Sequence, residues 1–226
     1  MHRTLLLAGL AAWLVSAAPA AAQEPGRFQV APLVGGVVFA EESALENAPF
    51  LGLDASYFVT RNFAIGLTGL TARVKTDGSF FPLVLMDFGD TTYVYSVAQQ
   101  TTLVSAGAHV QAHLPMDRID LYATAGGGVY RFYMDPRRTQ TVTRSTGGTL
   151  LLGGGVSYNI NPRVGVRLDA RDMMLLSYDR NDFDATVDYV RNDRIPDIAA
   201  APPEAKETVH NLRFALGFSF IPGASR

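Results

Sequence analysis

Between Thr101 and Leu114 the residues divide by parity. Thr102, Val104, Ala106, Ala108, Val110, Ala112 and Leu114 occupy one set of alternate positions; Thr101, Ser105, Gly107, His109, Gln111 and His113 occupy the other, with Leu103 as the intruder. A period of two belongs to a β-strand, whose successive side chains point to opposite faces. The pattern recurs. Leu51, Leu53, Ala55, Tyr57 and Val59 enclose Gly52, Asp54 and Ser56, and Leu150, Leu152, Val156, Tyr158 and Ile160 alternate with Gly153, Gly155, Ser157 and Asn159. Val164, Val166 and Leu168 alternate with Gly165, Arg167 and Asp169, and Leu212, Phe214, Leu216, Phe218 and Phe220 with Asn211, Arg213, Ala215, Gly217 and Ser219.

Turn residues between these runs give strands at 27–40, 49–60, 62–75, 95–114, 118–134, 147–160, 163–177 and 207–221. The connections alternate in length. Arg61-Asn62, Pro115-Met116-Asp117 and Asn161-Pro162 are tight, whereas 41–48, 76–94, 135–146 and 178–206 are long. Short turns at one end and long loops at the other suit a membrane barrel, with an even strand number placing both termini at the short-turn end. No uninterrupted apolar run of helical-span length follows residue 23, so a helical membrane protein is not expected.

Face polarity separates a membrane barrel from a soluble one, whose apolar face would point inward. Here one face carries Asp54, His109, Gln111, His113, Arg167, Asp169, Arg171 and Arg213 among glycine and serine; the other is leucine, valine, alanine and aromatics. An eight-stranded interior is just wide enough for such polar side chains to fill. Tyr57, Phe63, Tyr122, Tyr158, Phe218 and Phe220 lie near strand ends, where aromatic girdles are expected. The fold expected is therefore all-β: an eight-stranded antiparallel up-and-down transmembrane β-barrel.

Residues 1–22 are set aside as an export signal: His2 and Arg3 are basic, Leu5 to Val15 are apolar, and Ala20, Ala21 and Ala22 before Gln23 make an A-x-A cleavage site. The barrel domain is then 23–226. Without Arg3 there are 18 basic and 21 acidic residues, a formal charge of −3, and no basic stripe, so nucleic acid is not an expected partner. There is no cysteine, which excludes disulfides, thiol catalysis and cysteine-ligated zinc; stability must come from packing, a closed sheet or lipid.

The glycine-rich passages LYATAGGGVYRF (121–132) and GGGVSYNINPRVGVRLDARD (153–172), with the closing LRFALGFSF (212–220), resemble the outer membrane protein A-like group of small β-barrels in its single-domain form. The resemblance covers most of the chain after residue 22. It implies residence in the bacterial outer membrane, lipid and lipopolysaccharide as surroundings, and the barrel assembly machinery as a partner. Six residues follow Phe220, whereas that group often ends on an aromatic residue. No peptidoglycan-binding domain is expected after the barrel.

Arg167, Asp169 and Arg171, at i, i+2 and i+4, share one face of a strand. With Asp54, His109, His113 and Arg213 they form the candidate interior polar cluster, read as a salt-bridged plug with an ion-conducting gate as the alternative. His109 and His113 are about 13 Å apart by strand rise, too far to share a metal comfortably. Ser105 and Ser157 as nucleophiles, and His109 and His210 as bases, are not spaced as a catalytic unit. No cofactor, metal or catalytic residue is assigned.

Asp179, Asp182, Asp184, Asp188 and Asp193 read as a solvated acidic loop lacking EF-hand spacing. Arg137, Arg138 and Arg144 read as a basic loop that meets lipopolysaccharide phosphates or the acidic loop, or else solvates the strand ends. The apolar Phe80, Phe81, Leu83, Val84, Leu85, Met86 and Phe88 in loop 76–94 read as strand extension packed at the barrel mouth. The function expected is a non-enzymatic structural or surface-binding barrel, with a small pore for ions or hydrophobic solutes, or a lipid-modifying enzyme, as alternatives.

Overall fold

A computed structural model describes residues 25–77, 84–87, 92–95, 100–134, 144–183 and 206–222. The strands are β1 (Phe28–Val38), β2 (Ala48–Phe58), β3 (Phe63–Lys75), β4 (Val84–Asp87), β5 (Thr92–Tyr95), β6 (Gln100–Met116), β7 (Ile119–Met134), β8 (Arg144–Asn161), β9 (Val164–Tyr178) and β10 (Glu207–Phe220). Eight of them close antiparallel in the order β1-β10-β9-β8-β7-β6-β3-β2. The eight-stranded up-and-down barrel expected from the alternation is the fold found.

Several boundaries differ from expectation: the strand expected at 95–114 is β6, Gln100–Met116, and residue 95 belongs to β5 instead. The apolar loop after β3 does not lengthen the barrel wall: β4 and β5 pair only with each other, as a separate two-stranded sheet. Phe80, Phe81, Leu83 and Phe88 lie outside the described residues. Arg144 belongs to β8 rather than to the loop before it; Arg137 and Arg138 lie outside the described residues, as do Asp184, Asp188, Asp193 and the leader with Ala22 and Gln23.

The outer wall is apolar. Leu51, Leu53, Ile65, Leu67, Val110, Val129, Leu168 and Leu216 are all exposed, a continuous greasy surface that only lipid covers without penalty. Phe28, Tyr57, Phe63, Tyr158, Phe218 and Phe220 stand exposed around the short-turn end, forming the aromatic girdle of a lipid boundary. Tyr122 is not part of it. It shares parity with Asp120 and Thr124, and all three side chains are buried inside.

The barrel closes where β1 meets β10, from Val30 opposite Phe220 to Val38 opposite Leu212. Pro32, which has no N–H to give a ladder, lies in β1 beside this seam.

The interior is filled by a repeated device, in which a large side chain projects over a glycine on the neighbouring strand. His109 lies between Gly66 of β3 and Gly126 of β7, and Leu33 between Gly52 and Gly217. A Cβ on Gly66 would come within 2.7 Å of the His109 imidazole. Alternating large and small side chains is how a narrow barrel fills without overpacking.

Candidate functional site

The interior divides into two layers. Toward the short turns lies the polar layer. On β9, Arg167, Asp169 and Arg171 point inward because Leu168 and Ala170 between them face out. Room for them comes from their cross-strand neighbours: Gly153 and Gly217 stand beside Arg171 and Arg167, and Gly155 and Ala215 flank Asp169. Asp54, from β2, completes the group across the lumen.

The four side chains form a closed ring. Asp169 accepts from Arg167 Nε at 2.6 Å and from Arg171 Nε at 2.5 Å, one on each oxygen. Asp54 accepts from Arg171 Nη2 at 3.0 Å and from Arg167 Nη1 at 3.3 Å. Tyr122 Oη donates to Asp169 at 2.7 Å, and the Arg167 guanidinium lies over the Tyr122 ring, 4.7 Å from its centroid. Each carboxylate thus bridges both guanidinium groups, the pairing a buried charge needs. Tyr122 was missed as a site residue by sequence reasoning, although its parity with Asp120 was the signal that placed it inside.

The histidines are separated into two arrangements. His113 Nδ1 is 2.8 Å from Asp120 near the short-turn end, with Phe58 and Tyr122 against its ring. His109 Nε2 is 3.3 Å from Ser56 Oγ and 3.6 Å from Asp54. Serine, histidine and aspartate therefore meet, but in the wrong order for nucleophilic catalysis. In a working triad the acid holds one imidazole nitrogen and the nucleophile uses the other. Here both face Nε2, while Nδ1 has no hydrogen-bond partner among the described residues. Ser105 and Ser157 are buried, and His210 sits on the outer wall, 2.7 Å from Asp172, far from either as a base. Among the described residues no group of three or more His, Cys, Asp or Glu is placed to hold a metal ion.

Arg213 lies opposite Arg171 on the adjacent strand and is 1% exposed. It joins no carboxylate among the described residues; its Nε and Nη2 have no hydrogen-bond partner there, and its guanidinium lies 5.5 Å from the Phe50 ring centroid. This part of the interior therefore holds three guanidinium groups against two carboxylates, Asp54 and Asp169, which are taken by Arg167 and Arg171. Replacing Arg213 by methionine is expected to stabilise the barrel by about 1–4 kcal/mol, the range for buried charges exchanged for apolar side chains. Urea titration of the folded band checks it; a lower midpoint would mean that the Phe50 contact outweighs the desolvation.

Toward the long loops the interior turns apolar, contrary to the uniformly polar face the sequence suggested. Leu33, Val37, Phe50, Leu103, Phe132, Leu151, Met173 and Leu175 are buried there in one cluster. Two loop segments cover it. The turn after β1 buries Ala44 and Leu45, pinned where Tyr178 Oη donates to the Ser43 carbonyl at 2.5 Å. The short turn Arg180–Phe183 drops Phe183 onto Phe132, with ring centroids 5.2 Å apart and planes at 87°. Among the described residues the interior is thus filled by charge pairs in one half and by hydrocarbon in the other.

A family model described as the outer membrane protein beta-barrel domain matches residues 7–190. No curated protein matches the chain in sequence. Among solved structures, Neisserial surface protein A is similar over 85% of this chain and 96% of its own, with a TM-score of 0.56 and 12% identity. The outer membrane protein OprG from Pseudomonas aeruginosa aligns over 91% of this chain and all of its own, with a TM-score of 0.49 and 12% identity. At such identity the likeness to the Neisserial protein shows the fold alone.

Proposed function

The chain belongs to the outer membrane protein beta-barrel domain family, and from that premise we infer that it is a closed, non-conducting barrel serving the bacterial cell envelope as a structural and surface-binding element. The observation that carries this reading is the double filling of the interior among the described residues. A pore needs a continuous wet path, whereas here the ring of Arg167, Arg171, Asp54 and Asp169 is followed along the axis by Phe50, Leu103, Phe132 and Met173. Lipid-modifying chemistry is disfavoured by the buried, misordered Asp54, Ser56 and His109 set.

In this reading residues 1–22 direct export and are removed between Ala22 and Gln23, the barrel assembly machinery inserts the chain, and the short turns face the periplasm. The long loops then face outward, among lipopolysaccharide, where binding is done by surfaces rather than by a lumen. Planar-bilayer recording tests the central claim. No open-channel steps are expected from the purified barrel; reproducible steps that vanish in Arg167→Ala would replace the plug with a gate.

A further inference from the structure

The apolar band on the outer wall ends, toward the long loops, in charge, and along β3 and β7 the outward charges carried by the strands themselves are basic. Along β3 the outward side chains run from Phe63 through Ile65 and Leu67 to Thr71, and then come Arg73 and Lys75, both exposed. From Phe63 to Arg73 the strand rises about 33 Å, or about 25 Å along the axis at a tilt of about 40°, the height of the apolar band of such a barrel. Arg73 and Lys75 therefore stand at the far lipid boundary, where an outward cation ceases to be costly.

The pairing carries the strip sideways. Arg73 lies beside Thr102 of β6, and Thr102 beside Tyr133 of β7. Arg131, two residues along from Tyr133, stacks its guanidinium over that ring at 4.9 Å, and Tyr133 is half-exposed, as expected of an aromatic at headgroup level. Arg73 and Arg131 are two strands apart and two residues out of register, about 12 Å between their backbones at the usual strand spacing and rise. β3, β6 and β8 contain no aspartate or glutamate, and Asp120 of β7 points inward; the described acids beside this wall lie past its strands, at Glu46, whose N–H donates to the Lys75 carbonyl, and at Asp77. Across the barrel the balance differs, since Asp172 is there paired with His210.

We propose that Arg73, Lys75 and Arg131 form a docking strip for the phosphate groups of lipopolysaccharide packed against the β3–β7 wall. Guanidinium groups bind phosphate oxygens bidentately, and a spacing of about 12 Å lets two of them engage separate phosphates of one glycolipid. The proposal rests on the outward orientation of the long loops inferred above.

The test uses the full-length folded barrel in zwitterionic detergent, titrated with purified lipopolysaccharide and with the same material after phosphate removal. The combined variant Arg73→Gln, Lys75→Gln, Arg131→Gln is expected to fold as the wild type does, judged by the difference in gel migration between unboiled and boiled samples, and to bind lipopolysaccharide at least about tenfold more weakly, a change on the scale of one lost charge-assisted contact. Dephosphorylated material is expected to bind the wild type equally weakly. Unchanged affinity in the variant, or undiminished binding of the dephosphorylated lipid, overturns the strip. Loss of binding instead in Arg61→Gln, Arg118→Gln, at the short-turn end, overturns it by reversing the orientation. A conducting lumen would move none of these readouts, so failure of the plug and failure of the strip are separable.

Discussion

Replacing Asp169 by asparagine is expected to destabilise the barrel by about 3–5 kcal/mol, as when one partner of a buried ion pair is removed. The Asp169 carboxylate takes Arg167 on one oxygen and Arg171 on the other, and also accepts the Tyr122 hydroxyl. Asparagine keeps the shape but leaves three buried guanidinium groups, that of Arg213 included, facing Asp54 alone. The measurement is the urea midpoint at which the heat-modifiable band of the folded protein disappears. A midpoint unchanged from wild type would show that the ring is solvated rather than sealed, and the plug reading would fall with it.

The second large effect is expected at the other layer. Phe132→Ala removes a fully buried ring that meets Tyr130, Tyr178 and Phe183 edge-on, and should cost about 3–5 kcal/mol through lost transfer energy and the cavity left behind. Its loss also takes away the platform on which the turn Arg180–Phe183 rests. Limited proteolysis should therefore cut near that turn sooner in the variant than in wild type, while the barrel strands stay protected. Equal cutting rates would mean that Phe183 does not depend on Phe132 for its place.

The fold was legible because a two-residue period leaves few choices. Once Val104 and Val110 are put outside, Ser105 and His109 must go inside, and the same parity fixes the inward row of Arg167, Asp169 and Arg171. Sequence spacing shows that three residues share a face of one strand. It does not show that Asp54, more than a hundred positions earlier, faces them across the lumen, because that depends on the diameter and stagger of the closed sheet. The apolar inner layer left a fainter trace. Leu103 broke the alternation, and Met173-Met174-Leu175-Leu176 is greasy on both faces, as expected where lipid lies outside and hydrocarbon also lies within. Tyr122 was misplaced because nearness to a strand end was weighed above parity. The hairpin β4–β5 was unreadable, since a local apolar run says nothing about which strand it will join.

The seam between β1 and β10 has a consequence in time. Every other wall of the barrel joins strands that are consecutive in sequence, save that β4 and β5 intervene between β3 and β6, but Gly36 must find Phe214 from nearly the opposite end of the described chain. That contact has the longest loop to close and so the largest closure entropy of any wall. Until it forms, β1 and β10 both present unpaired edges able to recruit other chains, and the charged ring has no complete wall to hold its water out. Closure of this one seam converts a sticky curved sheet into an edgeless object.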